Sequence, residues 1–220
     1  PPEQVASLRV EVDKMIDDGE NLKVNNDHWK VIDQPLYNCS KLAFDIATNK
    51  KIRNIASEFF ECTPAIGTLN LRKSLVNNLP EDTTNFFHVD PNSVKFLKFF
   101  IYLNDVSTPA DGPLTLIEGS HKNKFLGWQN KYRWTEEEIV KIYGEDKIKY
   151  MLANAGDLII ARTTGFHRGT KVKSRDRYMY TINYVVHPEE FKQPTFKVRE
   201  KYLNLLSEED RPILDFLIKS

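Results

Sequence analysis

Two histidines and one aspartate have the residue types and spacing of a metal site. His88 and Asp90 stand one residue apart in the segment FFHVDP, residues 86–91. Because side chains at positions i and i+2 of a β-strand leave the same face, this imidazole and this carboxylate can reach one ion together. His167, in the segment GFHRGT at residues 165–170, could bring a third ligand from a distant strand. Two histidines and one carboxylate leave coordination positions open and suit Fe(II) that must bind a cosubstrate and O2.

The pattern His-x-Asp is a weak signal alone, since a single histidine is more often solvated or hydrogen-bonded than a metal ligand. Two phenylalanines precede His88, as expected of a strand that enters a core, and Pro91 would end that strand at a rim. These surroundings favour the metal interpretation. The other histidines lie in a polar loop, a turn and a strand end, and we expect them to be structural or exposed: His28, His121 and His187.

A group of arginines follows the second histidine. Arg177 opens the apolar strand YMYTINY at 178–184, whereas Arg175 precedes it. Strand alternation places Arg177 on one face with Thr181 and Asn183. An arginine directed into a barrel needs a carboxylate, which its planar fork binds at two points. The far carboxylate of a dicarboxylate cosubstrate would suit Arg177; Arg175 is the alternative, and a charge cluster can also be a solvated face.

Three further polar residues could line the same site. Asn70 and Arg72 share one face of an alternating strand, where they could contact a substrate or simply face water. Lys98 stands among phenylalanines and could be an inward group near the cosubstrate or a lysine on an outer face. Both alternatives stay open for each residue.

The elements that would position these residues are helices first and short strands afterwards. Apolar spacing predicts a helix before Gly19 and another after Ser40 with a break near Asn49, while residues 20–38 are polar and are predicted to form a surface loop. Period-two patterns predict strands at 68–75, 94–103, 114–117, 158–161 and 178–186. This order favours an antiparallel β-barrel or sandwich supported by N-terminal helices.

Composition excludes several classes of partner. The 220 residues contain 31 Lys+Arg and 31 Asp+Glu, so no net charge draws the chain to nucleic acid or to an anionic membrane. No apolar run is long enough for a membrane span, and no secretory signal opens the sequence. Cys39 and Cys62 are predicted to be reduced thiols of a cytoplasmic protein. The oligomeric state is not readable from the sequence.

The order of several motifs resembles the phytanoyl-CoA dioxygenase family. The matching segments are HVD at 88–90, YLNDV at 102–106, DGPL at 111–114, EGSHK at 118–122, GDL at 156–158 and HRGT at 167–170, followed by Arg177. The resemblance runs from about residue 68 to residue 187. It implies an enzyme that depends on Fe(II) and 2-oxoglutarate, on a mainly β, double-stranded β-helix (jelly-roll, cupin-like) fold with flanking helices.

Carried over by position, the resemblance assigns roles to individual residues. It implies that His88, Asp90 and His167 bind iron and that Arg177 binds the far carboxylate of 2-oxoglutarate. The arginine falls one residue closer to the second histidine than expected for the family, so Arg175 stays an alternative. The GSH turn is read as architectural, which leaves its histidine outside the ligand set.

One domain over residues 1–220 is the expected organisation. Helical support at 1–63 would precede a jelly-roll core at 64–187, and a helix at 207–219 would end the chain. The core would carry an insertion at 122–153, which contains three aromatic residues and a capping box in TEEE at 135–138. The insertion could be a lid that excludes water, or a helical excursion packed by its own aromatics: Trp128, Tyr132 and Trp134.

An intact Asp90 favours hydroxylation, because related halogenases replace this carboxylate with glycine or alanine to make room for chloride. The resemblance thus implies hydroxylation of an unactivated C–H bond of a small molecule, with 2-oxoglutarate and O2 as cosubstrates and release of succinate and CO2. The sequence does not identify the substrate. The alternatives are a cupin-like metal-dependent isomerase and a non-catalytic small-molecule-binding jelly-roll protein.

Overall fold

The computed structural model describes residues 2–18, 22–25, 28–32, 40–90, 95–186 and 200–214. Within these ranges, the α-helices are α1 (Pro2–Asp17), α2 (Lys41–Ala47), α3 (Lys50–Phe60), α4 (Glu136–Tyr143) and α5 (Glu200–Leu203). The strands are β1 (Leu22–Asn25), β2 (Trp29–Ile32), β3 (Ala65–Ser74), β4 (Phe96–Tyr102), β5 (Leu114–Ile117), β6 (Ile148–Tyr150), β7 (Leu158–Ala161), β8 (His167–Gly169) and β9 (Arg177–Val185). The predicted order of helices first and strands afterwards holds except at β1 and β2, two short strands that precede α2.

The N-terminal helices form where the apolar spacing and the caps predict them. Along α1, one stripe of side chains is buried: Val5, Leu8, Val12 and Ile16. The Ser40 hydroxyl accepts a hydrogen bond from the Ala43 amide and caps α2, and the Asn49 side chain caps α3. The predicted break near Asn49 is therefore confirmed.

The larger sheet has six antiparallel strands in the order β1-β2-β3-β9-β4-β7. The predicted loop at 20–38 is wrong in part, because β1 and β2 pair with each other and β2 pairs with β3, with Trp29 opposite Ser74. Both strands have only four residues, too few to show alternation in a polar sequence. Residues 20–21, 26–27 and 33–38 of that loop lie outside the described residues.

One face of the larger sheet packs against the helices. Its buried side chains include Leu71, Phe99 and Ile182. The hydroxyls of Tyr180 and Tyr184 donate to the carbonyls of Ala43 and Ala47 in α2, at 2.9 and 2.6 Å. Because side chains alternate, the opposite face of this sheet is directed at the smaller sheet and carries the polar residues considered below.

The smaller sheet has the order β6-β5-β8 and is also antiparallel. Single bridges extend it beyond β8: His88 pairs with His167, and Phe87 pairs with Trp134. The Tyr102 hydroxyl links the two sheets, since it accepts from the Leu114 amide at 2.8 Å and donates to the Met151 carbonyl at 3.1 Å. The segment that carries His88 is thus a middle strand of this sheet.

The insertion is shorter than predicted, because β6 lies within 122–153 and pairs with β5. The capping box at the start of α4 is confirmed. The aromatics of the insertion pack on Phe87 and Phe166, the residues that directly precede the two histidines of interest, and this aromatic cluster also contains Phe125, Trp128, Trp134 and Tyr143. Tyr132 instead is 85% exposed. Of the two alternatives for this region, a helical excursion packed by its own aromatic residues therefore agrees with the structure better than a lid.

The C-terminal helix predicted at 207–219 is wrong for the part of this segment that the structure describes. The described part holds the short helix α5 and a 3-10 turn at Arg211–Leu214, and residues 215–219 lie outside the described residues. An ion pair of 2.8 Å between Arg53 and Asp210 ties this end of the chain to α3. No helix among the described residues has the length and apolar character needed to cross a bilayer.

Candidate metal centre

The structure brings His88, Asp90 and His167 together. One potential ligand atom from each residue lies within 4.8 Å of the other two. Asp90 stands between the imidazoles, with Oδ1 3.8 Å from His88 Nε2 and Oδ2 3.3 Å from His167 Nε2. The two ring centroids are 4.3 Å apart. Two nitrogens and one carboxylate on one side of a common point form the arrangement that leaves several positions of an iron ion open.

Backbone pairing explains why these side chains converge. The amide of His88 donates to the carbonyl of His167 and the amide of His167 donates back, both at 2.9 Å. Residues that exchange both bonds stand directly opposite in an antiparallel pair, so their side chains leave the same face. The amide of Asp90 donates to the Thr163 carbonyl at 3.0 Å, which fixes the third ligand two residues beyond the first.

Hydrogen bonds at Nδ1 orient both imidazoles. The Nδ1 of His88 donates to the Phe86 carbonyl and that of His167 donates to the Gly165 carbonyl, each at 3.0 Å. With the proton at Nδ1, the lone pair of each Nε2 is directed toward Asp90. This use of a backbone carbonyl to fix the tautomer is usual for histidines that bind metals.

The electrostatics favour the protonation states that a metal requires. Burial would raise the pKa of Asp90, but its contacts with the side chains of His167 and Lys98 hold it well below its usual range. Burial lowers the pKa of His88 to about 4, and the neighbouring His167 acts in the same direction. An ionised carboxylate and a neutral imidazole are the forms that coordinate metal ions.

The side chain of Lys98 is directed into the barrel, toward the candidate metal ligands, and not to the outer face of the sheet. On β4 it stands opposite Ala161 of β7 and Asn183 of β9. Its Nζ is 2.5 Å from Asp90 Oδ2, on the side of that carboxylate shared with His167. Of the two positions considered for this lysine, the structure therefore shows the inward one. There Lys98 orients the carboxylate of the candidate ligand set.

Arg177 is buried inside the barrel with 2% of its surface exposed. Its guanidinium donates to the Gly112 carbonyl and to the Ser74 hydroxyl, the latter at 2.9 Å. A Cβ placed on Gly169 would lie 3.7 Å from Arg177 Nη2. Since Gly169 is two residues beyond His167 on β8, the guanidinium is displaced from the metal ligands by roughly 7 Å along the strand. A five-carbon dicarboxylate that is anchored at the metal has about that reach.

Buried polar atoms without partners test whether such a cosubstrate fits. Asn183 is 0% exposed, and neither its amide nitrogen nor its oxygen has a hydrogen-bond partner among the described residues. The same holds for Arg177 Nε and Thr163 Oγ1. Buried polar groups normally have partners, so an anionic ligand with several oxygens fits the donors here. Asn183 was missed as a site residue, although alternation in the sequence places it on the face of Arg177.

Arg175, the alternative partner for the cosubstrate, lies outside the barrel interior. Its side chain is 50% exposed, and its Nε donates to Asp111 Oδ1 at 3.2 Å. Asp111 in turn accepts from the amides of Ser107 and Thr108, both at 2.9 Å. The structure thus gives Arg175 a partner in the turn before β5, and of these two arginines Arg177 is the one directed inward.

The buried Asp111 predicts a dependence of stability on acid pH. A hydrogen bond from Ser174 holds the pKa of Asp111 well below its usual value of 3.8; burial opposes this, and the Thr108 and Ser107 amides support it. A carboxylate whose pKa is lower in the folded state than in the unfolded state contributes its full stabilisation of the fold above about pH 4, and this stabilisation is lost as the pH falls further. We expect Asp111→Asn to lower the thermal midpoint at pH 7 and to flatten its decline below pH 4. The exposed Glu81→Gln serves as control; equal acid slopes in both variants would contradict the prediction.

The two candidate substrate residues of β3 differ from each other. Asn70 stands opposite Thr181 and is exposed. Arg72 stands opposite Met179, and its guanidinium lies over the Trp29 ring, 4.6 Å from the centroid. Burial, with the charge of Arg177 in the same direction, lowers the pKa of Arg72 to about 10. Both residues lie on the polar inward face, and neither contacts the three candidate ligands.

A cavity of about 320 Å³ borders the metal centre between Asp90 and the insertion. Its other walls are largely aromatic and include Trp128, Tyr132, Trp134 and Phe166. Ligand cavities of such a volume commonly combine apolar walls with a few polar groups. A larger cavity of about 480 Å³ lies on the outer face of the smaller sheet beside Arg168 and includes none of the three candidate ligands.

The fold is that of solved structures which hold metal ions and 2-oxoglutarate. HygX from Streptomyces hygroscopicus, with nickel and 2-oxoglutarate bound, has a TM-score of 0.64 at 14% identity, and the match covers 84% of this chain and 79% of that one. The epimerase SnoN, in complex with Fe3+, alpha ketoglutarate and nogalamycin RO, has a TM-score of 0.64 at 15% identity, with 84% and 75% covered. The alpha ketoglutarate dependent carbocyclase SnoK from nogalamycin biosynthesis has a TM-score of 0.59 at 13% identity, with 84% and 76% covered.

These similarities confirm the predicted mainly β fold with a double-stranded β-helix core. Residues 3–179 match the model of the family described as phytanoyl-CoA dioxygenase (PhyH). The chain belongs to the phytanoyl-CoA dioxygenase family. No curated protein matches its sequence.

Proposed function

We propose that this protein is an Fe(II)- and 2-oxoglutarate-dependent oxygenase that acts on a small molecule. The observation that carries the proposal is the convergence of His88, Asp90 and His167 within 4.8 Å, with Arg177 buried further along the same barrel. Membership of the phytanoyl-CoA dioxygenase family supports it. So do the solved relatives of the same fold that contain iron or nickel together with 2-oxoglutarate.

The chain would hold its cofactor and cosubstrate with separate groups of residues. His88, Asp90 and His167 would bind Fe(II), and Lys98 would orient the carboxylate of Asp90. Arg177 would bind the far carboxylate of 2-oxoglutarate by charge-assisted hydrogen bonds, with Ser74 and Gly112 holding its guanidinium in place. When bound, iron with 2-oxoglutarate and O2 supplies the oxidising power for breaking an unactivated C–H bond, with release of succinate and CO2.

Hydroxylation is the outcome that we propose for the substrate. An intact carboxylate at Asp90 supports it over halogenation, because the carboxylate would occupy the position that a halide needs. Solved structures of the same fold include an epimerase and a carbocyclase. Identification of the product therefore distinguishes hydroxylation from epimerisation and cyclisation. A hydroxylated product gains one oxygen atom, whereas an epimer has an unchanged mass and a cyclised product loses two hydrogens.

Turnover of 2-oxoglutarate tests the proposed function. We expect purified protein loaded anaerobically with Fe(II) to release succinate slowly in air, and a panel of small molecules to contain one that stimulates this release at least tenfold. Mass spectrometry of that reaction would then identify the product. Asp90→Asn, which keeps the shape of the side chain, serves as the inactive control. Stoichiometric metal binding without 2-oxoglutarate consumption would favour the cupin-like isomerase, and absence of both would favour the non-catalytic binding protein.

The charge and the cysteines support a cytoplasmic protein without a nucleic-acid partner. Equal numbers of acidic and basic residues, 31 each, give no overall attraction to a polyanion. Cys62 is an exposed free thiol, a state that a reducing compartment maintains. Cys39 lies outside the described residues.

A further inference from the structure

Arg133 belongs to an extended segment of the insertion that pairs with the segment of His88. Trp134 and Phe87 exchange two backbone hydrogen bonds of 2.8 Å in an antiparallel bridge. One step along this pairing, Arg133 stands opposite His88. Because side chains alternate, Trp134 joins the aromatic cluster on the outer face of the sheet, and Arg133 is directed to the face of His88. Cβ atoms of such opposite residues are roughly 5 Å apart.

The hydrogen bonding of Arg133 is incomplete. Its Nη1 donates only to the carbonyl of the adjacent Tyr132, at 3.0 Å, and its buried Nε has no partner among the described residues. No described carboxylate forms an ion pair with it, whereas three other arginines each have one: Arg53, Arg168 and Arg175. A buried guanidinium nitrogen normally has an acceptor, so Arg133 is a donor group that a ligand could satisfy.

The position of Arg133 separates it from the cosubstrate arginine. In the smaller sheet, the segment of Arg133 is on one side of His88 and the strand of His167 is on the other. Arg177 lies beside Gly169, which belongs to that second strand. A single five-carbon dicarboxylate that binds the metal and Arg177 would leave Arg133 free for a different anion.

We propose that Arg133 binds an anionic group, a carboxylate or a phosphate, of the primary substrate. This inference rests on the proposed oxygenase function and names a chemical class of substrate for it. The planar fork of an arginine binds either group at two points and fixes its orientation. Anchoring the charge beside His88 would hold the adjoining carbon atoms close to the iron.

Isothermal titration calorimetry with three related probes tests the proposal. Phenylacetate carries a carboxylate, phenyl phosphate carries a phosphate, and phenylacetamide has the shape of phenylacetate without its charge. Protein loaded with Ni(II) and saturated with 2-oxoglutarate is expected to bind one or both anions at least tenfold more tightly than the amide. The preferred anion identifies the group that the substrate carries. Equal binding of all three probes, or no binding of either anion, would overturn the proposal.

Variants of Arg133 show whether this residue is responsible. Arg133→Gln is expected to weaken anion binding by roughly ten- to a hundredfold, the effect of losing charge-assisted hydrogen bonds, and Arg133→Lys to weaken it less. Lys141→Gln removes the same charge from an exposed position of α4 and is expected to change nothing. Anion binding that survives in Arg133→Gln would overturn the assignment. So would a loss of 2-oxoglutarate affinity equal to that of an Arg177 variant, while failure of the wild type to bind 2-oxoglutarate would instead refute the proposed function.

Discussion

Replacing His167 by alanine is expected to abolish stoichiometric Fe(II) binding and to reduce 2-oxoglutarate turnover by at least about a thousandfold. The loss of one of three ligands leaves a carboxylate and a single imidazole, and the metal contributes several kcal/mol to the reaction barrier. Iron analysis after anaerobic loading measures the first effect. The visible charge-transfer absorption of the Fe(II)–2-oxoglutarate complex gives a second readout that is independent of turnover.

His121→Ala is the matched control for this experiment. His121 lies in the turn after β5, outside the candidate ligand set. We expect its replacement to leave iron stoichiometry and charge-transfer absorption unchanged. If His167→Ala folds and retains one iron per chain, the assignment of the three ligands is wrong and the non-catalytic interpretation gains support.

Replacing Arg177 by glutamine is expected to raise the KM for 2-oxoglutarate by about a hundredfold or more while Fe(II) still binds. The reason is that a buried, charge-assisted contact with a carboxylate is worth roughly 3 kcal/mol. The change acts on the cosubstrate and not on the metal, so KM and iron stoichiometry must respond differently. Steady-state succinate release across a range of 2-oxoglutarate concentrations measures the KM.

Arg175→Gln separates the two arginines that the sequence left as alternatives. Its half-exposed side chain binds Asp111, so we expect the KM for 2-oxoglutarate to change less than threefold. Because Arg177 also donates to Ser74 and Gly112, thermal unfolding of its variant is measured in parallel, and Arg177→Lys retains the charge. A large rise in KM for Arg175→Gln with a normal Arg177→Gln would reverse the assignment.

The parts of this site that could be predicted from sequence are those fixed by local geometry. The spacing of His88 and Asp90 determines that they share a strand face, whatever the rest of the fold does. The capped helix at Thr135 and the strand that starts at Arg177 also depend on neighbouring residues, and both are confirmed. His167 was a candidate from its residue type and its strand-like segment, and the order of the motifs supported it, because the resemblance connects segments that lie far apart in the chain.

The parts that could not be predicted depend on pairing between distant segments. The contact of Lys98 with Asp90 follows from the register of β4 against β9, which no local pattern encodes. The hairpin of β1 and β2 and the strand β6 are too short to show a period. The position of Arg133 follows from a single bridge between Phe87 and Trp134.

That bridge has a consequence for engineering the enzyme. The segment of His88 has two backbone neighbours, the strand of His167 and the excursion that carries Trp134. An exchange of this excursion for that of a relative with another substrate would therefore also remove one support of His88, a candidate iron ligand. Chimeras that keep residues 133–135 extended and in register should retain metal, whereas those joined inside this stretch should lose metal affinity before they show any new selectivity.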